Sequence, residues 1–248
     1  MFEVKSRIHT NRYFANRVSF FDLFRAIQYY DYQGEVDSVP SWYRVERGMS
    51  CFTDLTQSMD ELLASMKSNT RNEIRRAEKE GVTFEIVSDL REFVVFYNDF
   101  CKSKGFGDYT SEARMRKYRT ALLTKAVHDG KVLAMHASLL DNQSHVALLM
   151  FSCSHRLESG CDKRMIGWGN RYLHYKELEY LKNAGYTHYD WSGVCTDKNN
   201  PAYTIGQFKL SFGGKPVESI TLKTPLFSFF EYARRRLVRV KKLTCWKI

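Results

Sequence analysis

The sequence lacks several features that would place the protein in a familiar class. Its six cysteines include no C-x-x-C pair, which argues against a disulfide framework and a zinc knuckle. No run of about 18 apolar residues occurs, so no segment is expected to span a bilayer. The first residues include an early acid and no apolar core, unlike a signal peptide. These absences favour a cytoplasmic protein with reduced thiols.

Motifs for covalent catalysis, DNA binding and metal binding are also missing. No serine or cysteine stands in a G-x-S-x-G elbow, so a covalent acyl-enzyme is not indicated. The basic residues accompany no helix-turn-helix or zinc pattern, which argues against DNA as a partner. Cys153, His155 and Cys161 lack a fourth ligand at metal-site spacing, so no metal site is predicted.

The chain does contain ample material for a folded core. It has 248 residues, of which 44% are apolar and 15% aromatic, enough for one large or two small globular domains. Its formal net charge is +10, and the excess is uneven. Residues 226–248 contain seven basic residues against Glu231 alone, a net +6. More than half of the excess positive charge therefore lies in this tail.

The tail has the spacing of an amphipathic helix. Its apolar residues recur at helical intervals: Leu226, Phe229, Phe230, Ala233, Leu237 and Val240. Arg235, Arg239 and Lys242 fall on the opposite face. Three interpretations are open. The tail is a peripheral anchor on an anionic membrane surface at the inner face of the membrane, a terminal helix docked on the domain, or an RNA-binding segment.

The N-terminal part of the chain predicts an extension followed by alternating strands and helices. Residues 1–45 are rich in aromatics, and Ser19 is expected to cap a short helix with Phe20, Leu23, Phe24 and Ile27 on one face. The elements expected next are a strand at 43–52, a helix from Asp54 or Thr56, a helix after Ser68–Thr70, a strand at 82–87, a helix capped by Asp89 and ended by Gly105, and a helix at 111–123.

A basic stripe runs along the helix that follows Ser68. Lys67, Arg71, Arg75 and Lys79 recur every four residues and would share one helix face, where they could contact phosphates. Nearby glutamates, Glu73, Glu78 and Glu80, also fit a surface helix laced with salt bridges. Taken alone, the stripe favours the second interpretation.

The clearest β signal is a three-stranded antiparallel meander. Strands are expected at 125–128, 132–140 and 145–152. Asp129-Gly130 joins the first two, because this dipeptide accepts the positive φ angles of a tight hairpin. A loop at 153–163 then leads to the next motif.

That motif is Arg164-x-x-Gly167-x-Gly169, placed where a helix ending at Gly185 should open. Glycines at a helix start allow backbone N–H groups and the positive end of the helix dipole to approach a pyrophosphate. The other interpretation is that the glycines only pack the helix closely. Beyond this helix we expect a strand at 187–192, a short helix at 204–212 and a strand at 216–222.

In this order the motifs resemble a known family. Arg164-x-x-Gly167-x-Gly169 between a meander and a helix resembles the acyl-CoA pyrophosphate loop of the GNAT N-acyltransferases, and segments 68–81, 185–193 and 208–214 resemble the FemABX branch. The likeness spans about residues 46–222. It implies an α+β fold with a mixed, mostly antiparallel central sheet flanked by helices. The expected organisation is an N-terminal extension (1–45), an acyltransferase domain (46–225) and a basic tail helix (226–248).

The resemblance also implies a site. Lys209 would stabilise the oxyanion and Phe208 would position the acyl donor, while Tyr203 would protonate the leaving group. Asp190 would orient the acceptor amine or relay its proton, or else is a purely structural strand carboxylate. The implied donor-binding residues are Arg164, Gly167, Gly169, Asn170 and Phe208. His136 and His188 are candidate bases only because histidine as a residue type can exchange protons near neutral pH, and a packed strand residue is the preferred interpretation of each.

The function that follows is N-acyl transfer. An acyl or aminoacyl group would pass directly from acyl-CoA or aminoacyl-tRNA, used as a co-substrate and not as a permanently bound cofactor, to an amine of a cell-envelope or surface-glycan precursor. The net charge of +10 suits either anionic donor. The alternative is a noncatalytic GNAT-like module that binds anionic lipid or RNA through its basic segments.

Overall fold

The computed structural model of the chain describes residues 1–118, 121–156 and 160–244, with side chains through residue 236 in the last range. Within these ranges the chain forms ten β-strands: β1 (Phe2–Lys5), β2 (Thr10–Tyr13), β3 (Ile27–Tyr30), β4 (Arg44–Asp54), β5 (Thr83–Ile86), β6 (Ala121–His128), β7 (Lys131–Asp141), β8 (Val146–Ser154), β9 (His188–Gly193) and β10 (Lys215–Lys223). The same ranges contain seven α-helices: α1 (Met59–Ser65), α2 (Ser68–Lys79), α3 (Leu90–Lys104), α4 (Glu112–Met115), α5 (Lys163–Asn183), α6 (Tyr203–Leu210) and α7 (Pro225–Thr244).

The backbone packs as two compact units. One unit is Met49–Val217, and the other combines Met1–Gly48 with Glu218–Ile248. This division differs from the three consecutive segments expected from the sequence, because the two ends of the chain join in one unit. The pairing of β3 with β10, which aligns Tyr29 with Leu222, brings these ends together.

In Met49–Val217 the strands follow the order β4-β9-β8-β7-β6-β5. Neighbours are antiparallel except β8 and β9, which run parallel. These two strands pair only over Val146–Leu148 and His188–Asp190, although β8 continues to Ser154 and β9 to Gly193. The strands therefore separate beyond Asp190. The mixed, mostly antiparallel sheet flanked by helices agrees with the predicted fold class.

The meander confirms the strand pattern expected from the sequence. Asp129 and Gly130 both have positive φ, 48° and 71°, as the tight turn between β6 and β7 requires.

The predicted ends of α3 are also present. Asp89 accepts a hydrogen bond from the Arg91 N–H at the start of α3, and Gly105 ends this helix in the left-handed conformation at φ 68°. These local signals set the turn of the β6–β7 hairpin and both ends of α3.

Two helix predictions were wrong in extent. The first helix after β4 begins at Met59 and not near Asp54, because Ser58 and Glu61 form a reciprocal capping box. Residues 111–123 do not form one helix: α4 ends at Met115, and β6 begins at Ala121. Pairing of β6 with β7 and β5 outweighs the helical propensity of its alanine and leucines.

The core of this unit lies beneath α5. This helix packs against β6 and β7, and α2 packs against α5. Leu173, Leu178 and Leu181 of α5 are fully buried in the cluster that also contains Trp191 and Phe212. The indole of Trp191 donates a 2.9 Å hydrogen bond to the Thr53 hydroxyl and stacks on Phe212 at 4.7 Å. This aromatic pair forms the floor on which α6 rests.

The second unit has the strand order β1-β2-β3-β10 and a core of tyrosines and aliphatic residues. Residues Phe20–Phe24 form a 3₁₀ helix whose cap is Ser19, as predicted, but Ile27 lies in β3 instead of on the helix face. The Asp22 carboxylate is buried, and four groups donate hydrogen bonds to it: the Arg12 guanidinium, the Tyr29 and Tyr43 hydroxyls and the Ser19 N–H.

The predicted tail helix is present as α7. Its Glu231 forms ion pairs with Lys223 and Arg235. The predicted apolar positions Leu237 and Val240 and the basic positions Arg239 and Lys242 lie outside the described side chains. Among the described residues, no helix is both long enough and apolar enough to cross a bilayer.

Candidate functional site

Lys209 lies on α6, close against the end of β9. Its Nζ donates a 2.8 Å hydrogen bond to the Gly193 carbonyl. Gly206 permits this approach, because a Cβ at that position would lie 2.5 Å from the Cys195 carbonyl oxygen. Only a glycine therefore allows α6 to lie flat on the segment that follows β9, and Lys209 is held one helical turn further along.

A buried carboxylate and a buried thiol lie beneath Lys209. Asp190 of β9 is fully buried and accepts hydrogen bonds from the Ser50 hydroxyl at 2.5 Å and the Ser192 N–H at 2.7 Å. Ser50 and Cys51 come from β4, whose pairing with β9 shifts register at this point. The irregular register thus places two β4 side chains beside Asp190.

Burial and charge oppose each other at this cluster. Burial lowers the pKa of Lys209 below its usual value, while the nearby Asp190 acts in the opposite direction. Burial, reinforced by the Asp190 charge, raises the pKa of the Cys51 thiol to about 12. Cys51 is therefore a poor nucleophile at neutral pH, and the polar group of this cluster that can act on a substrate is the Lys209 amine.

Phe208 forms an aromatic wall beside Lys209. Its ring contacts His174 at 5.7 Å and Phe212 at 5.3 Å, and the Arg171 guanidinium lies 5.0 Å from its centre. Arg171 also forms a 2.9 Å ion pair with Glu73 of α2. Thus α5 supplies a cation that lies directly over the residue preceding Lys209.

The predicted phosphate-binding turn is instead part of α5, so that prediction was wrong in its structure. The helix begins at Lys163, and Asp162 caps it by accepting hydrogen bonds from the Arg164 and Met165 N–H groups at 2.9 and 3.1 Å. Gly167 and Gly169 lie further along, where their N–H groups bond to the preceding turn. Their backbone therefore does not form an open cradle, and the Arg164 side chain is exposed.

Each glycine has a different surrounding. A Cβ on Gly169 would lie 2.4 Å from Leu133 Cδ1 and 3.2 Å from its Cβ, so Gly169 allows α5 to pack closely on β7. A Cβ on Gly167 would lie 3.9 Å from Arg156 Nη1 and 4.0 Å from Arg171 Nη1. Gly167 thus leaves space beside two guanidinium groups, whereas Gly169 serves packing.

Asn170 belongs to a buried polar network. Its side-chain oxygen lies 2.9 Å from His136 Nε2, and His136 Nδ1 lies 2.9 Å from Glu177 Oε2. His174 stacks on His136 at 4.0 Å, and its Nδ1 lies 3.4 Å from the same Glu177 oxygen. The Thr124 hydroxyl donates to the other Glu177 oxygen. Asn170, predicted to bind the donor, therefore orients His136.

This network has one negative and two potentially positive groups in a dry environment. Burial, together with a smaller contribution from the adjacent His136, lowers the pKa of His174 to about 3. Burial alone would raise the pKa of Glu177, but His136 and the hydrogen bonds of both histidines hold it well below its usual range. Glu177 is therefore an anion and His174 a neutral ring at physiological pH.

The three residues His136, His174 and Glu177 are also close enough to share a metal ion, since their ligand atoms lie within 4.8 Å of one another. Their hydrogen bonds use the same atoms, however, and the 2.9 Å separation of His136 Nδ1 and Glu177 Oε2 is that of a direct hydrogen bond. The arrangement fits a hydrogen-bonded core network better than a metal site.

The remaining predicted residues lie apart from Lys209. Tyr203 begins α6 and is half-exposed, six residues before Lys209 and about 9 Å away along the helix axis. His188 is exposed, whereas His136 is fully buried. In the basic stripe of α2, Arg71 donates hydrogen bonds to the Ala64 and Met66 carbonyls, so it closes the end of α1.

Sequence reasoning did not identify His174, Glu177, Arg171 or the Ser50–Cys51 pair. One signal was present: His174 and Glu177 are three residues apart on the helix face that also carries the buried leucines. Arg171 has no comparable signal, because its position over Phe208 depends on how α5 and α6 pack.

Comparisons with known proteins give a fold. No family model matches the sequence, and no curated protein does. Among solved structures, FemX is similar at a TM-score of 0.63 and 16% identity, covering 88% of this chain and 82% of that chain. A C-terminal domain (DUF2156) of a putative lysylphosphatidylglycerol synthetase from Agrobacterium fabrum has a TM-score of 0.58 and 12% identity, covering 89% and 79%.

L-PGS from Bacillus licheniformis is also similar, with a TM-score of 0.56 and 13% identity, covering 90% of this chain and 79% of that chain. Identities this low establish the shared architecture and nothing finer. The chain shares its fold with FemX, in agreement with the FemABX-like fold that its motifs predicted.

Proposed function

We propose that the protein is an acyltransferase that moves an acyl or aminoacyl group from an activated donor to an acceptor amine. The observation that carries the proposal is the position of the Lys209 amine. It is hydrogen-bonded to the Gly193 carbonyl at the end of β9, where β9 no longer pairs with β8. The fold that it shares with FemX and L-PGS supports the same class of chemistry.

In the proposed reaction the neutral acceptor amine attacks the donor carbonyl and forms a tetrahedral oxyanion. Lys209, as an ammonium, donates a hydrogen bond to this oxyanion, and Asp190 beneath it favours the charged form. The amine then loses a proton to water, and the leaving oxygen or sulfur gains one as the bond to the carbonyl breaks. Water is the proposed proton donor, because Tyr203 lies apart from Lys209 at the opposite end of α6.

We propose aminoacyl-tRNA as the donor, with acyl-CoA as the alternative that the test distinguishes. Asp162 already occupies the first free N–H groups of α5, so a compact pyrophosphate cradle at Gly167 and Gly169 is not supported. The Arg156 and Arg171 guanidiniums beside Gly167 can instead meet the phosphates of a larger anionic donor with their side chains.

The proposed acceptor is an amine on a cell-envelope or surface-glycan precursor, reached from the cytoplasmic face of the membrane. The similarity to proteins named for lysylphosphatidylglycerol synthesis supports an acceptor at the envelope. The basic stretch Arg234–Arg236 of α7, which is exposed, supports attachment to an anionic surface.

The test pairs a binding measurement with a turnover measurement. Calorimetric titration with CoA and with a charged tRNA identifies the donor, and Lys209→Met then tests the catalytic role. Loss of one oxyanion donor should lower the turnover number by about 100-fold or more, with donor affinity unchanged. Lys102→Met, at an exposed lysine on α3, is the matched control.

Three outcomes are informative beyond the expected one. Unchanged turnover in Lys209→Met would remove its catalytic role. Binding of CoA alone would replace the tRNA donor by acyl-CoA. If neither donor binds, the protein is a noncatalytic module and the transferase proposal fails.

A further inference from the structure

The 3₁₀ helix Phe20–Phe24 has its polar and apolar residues reversed relative to an ordinary surface helix. Its acid, Asp22, is only 1% exposed, whereas Phe20, Phe21 and Phe24 are 65%, 77% and 73% exposed. The Asp22 contacts with Arg12 and Tyr29 hold the helix in this orientation. The three phenylalanines therefore face solvent because the segment is anchored by its carboxylate.

The beginning of α7 extends this exposed aromatic surface. The Thr224 hydroxyl donates to the Arg25 carbonyl and accepts from the Ile27 N–H at 3.0 Å, which fixes the start of α7 beside the 3₁₀ helix. An open groove of about 440 Å³ lies between the two elements, and its lining is apolar: Leu23, Phe24, Pro225, Leu226 and Phe229. Phe229 is 62% exposed.

Basic residues border the same surface. Arg25 directly follows the 3₁₀ helix, and its side chain is 60% exposed. Arg234, Arg235 and Arg236, all exposed, follow the aromatic turns of α7. The acids nearest in sequence are engaged: Asp22 is buried in its network, and Glu231 pairs with Lys223 and Arg235.

We infer that this surface, formed by Phe20, Phe21, Phe24, Leu226 and Phe229 and bordered by Arg25, Arg234 and Arg236, docks on the headgroup region of an anionic lipid bilayer. Aromatic side chains favour the bilayer interface, and arginines beside them are attracted to anionic headgroups. A second copy of the chain fits less well, because self-association would bring two sets of arginines together.

The proposed function assigned membrane attachment to the arginines of α7 alone. The inference adds the 3₁₀ helix Phe20–Phe24 to that surface, and it does not require transferase activity. Its test is co-sedimentation of the full chain with phosphatidylcholine vesicles that contain or lack phosphatidylglycerol. We expect binding only to the anionic vesicles. Phe21→Ser combined with Phe24→Ser should weaken it by about ten-fold or more, and so should replacement of Arg234 and Arg236 by glutamine.

Matched controls come from the other unit. Phe106→Ser removes a 53% exposed phenylalanine, and Arg75→Gln with Lys79→Gln removes exposed charge from α2. Both should bind vesicles as the unchanged protein does. Circular dichroism melting verifies that each variant is folded, which is expected because the substituted side chains are exposed.

Three results would overturn the inference: vesicle affinity that survives the double phenylalanine change, equal binding to neutral and anionic vesicles, or a dimer in light scattering that this change dissociates. Vesicle binding that fails while tRNA binds through the same residues would assign the surface to RNA. Each of these results is independent of turnover, so the transferase proposal can stand or fall separately.

Discussion

At the scale of single residues, the buried trio His136, His174 and Glu177 couples stability to pH. The pKa of His174 is lowered to about 3 in the folded protein, whereas in the unfolded chain it returns to about 6.5. Below pH 6.5 the unfolded chain therefore binds a proton that the folded protein does not. Folding loses stability as the pH falls through this window.

We predict that the His174 contribution removes about 2 kcal/mol of stability between pH 7 and pH 5. Urea unfolding at the two pH values measures it, as the difference between the unchanged protein and His174→Phe, which keeps a ring against Phe208. His188→Gln, at an exposed histidine, is the control and should keep the full pH dependence. An equally steep pH dependence in His174→Phe would contradict the assignment.

Lys209 gives a second pH prediction, this time for turnover. The proposed mechanism needs the ammonium form, and burial lowers the pKa of Lys209 from its ordinary value. As the pH is raised, activity should therefore begin to fall at a lower pH than that at which an exposed lysine loses its proton. A pH–rate profile from neutral to alkaline pH measures this limb, and a profile that stays flat up to the ordinary lysine range would argue against the role.

These residues differ in how far the sequence could reveal them. Lys209, Phe208 and Asp190 were predicted as site residues from the family resemblance, because its motifs are local. The partners that define their chemistry are distant in the chain: Ser50 lies 140 residues from Asp190. Such contacts arise from strand order and register, which no local pattern encodes.

At the scale of elements, two glycines of α5 differ in how much space surrounds them, and alanine at each should therefore change stability differently. Gly169→Ala forces Leu133 to move and should destabilise the protein by about 1–3 kcal/mol. Gly167→Ala meets no atom closer than 3.9 Å and should be neutral or stabilising by up to about 1 kcal/mol, since alanine favours a helix. Urea unfolding of the two variants measures both effects.

Donor titration of the same pair separates packing from binding. If Gly167→Ala abolishes donor binding without a change in stability, the space beside Arg156 and Arg171 is occupied by the donor in the complex. If Gly169→Ala is as stable as the unchanged protein, the close packing of α5 on β7 is not what requires a glycine.

Element prediction succeeded where caps and turns are local and failed where tertiary pairing decides. Ser19, Asp89 and the Asp129-Gly130 turn each set a boundary as expected. The segment from Ala121 resembles a helix in composition but is a central strand, because β5 and β7 pair on its two sides. The glycine motif predicted a turn, whereas the Asp162 cap starts α5 before both glycines.

At the scale of the molecule, the net charge of +10 should govern the binding of a large polyanion. We predict that affinity for charged tRNA falls by about ten-fold or more between about 50 and 200 mM salt. Fluorescence anisotropy across this range measures it. The melting temperature over the same range is the control for folding, and an affinity that does not change with salt would show that phosphate contacts contribute little.

The division of the chain into units could not be predicted from the sequence. The expected segments were consecutive, yet Met1–Gly48 packs with Glu218–Ile248. The antiparallel pairing of β3 with β10 joins positions almost 200 residues apart, as in the Thr224 contacts with Ile27 and Arg25. A pairing between residues so far apart leaves no trace in local composition, since it depends on which strands become neighbours in the folded sheet.

Within this terminal unit, the buried Asp22 holds the 3₁₀ segment in place, whereas the exposed phenylalanines of the segment form its outer surface. The fold depends on the carboxylate and its donors, whereas the neighbouring phenylalanines make little contribution to the interior. Natural variation can therefore exchange these rings one at a time without unfolding the scaffold. Substitution of these rings would then change the outer surface of the segment while its architecture stays constant.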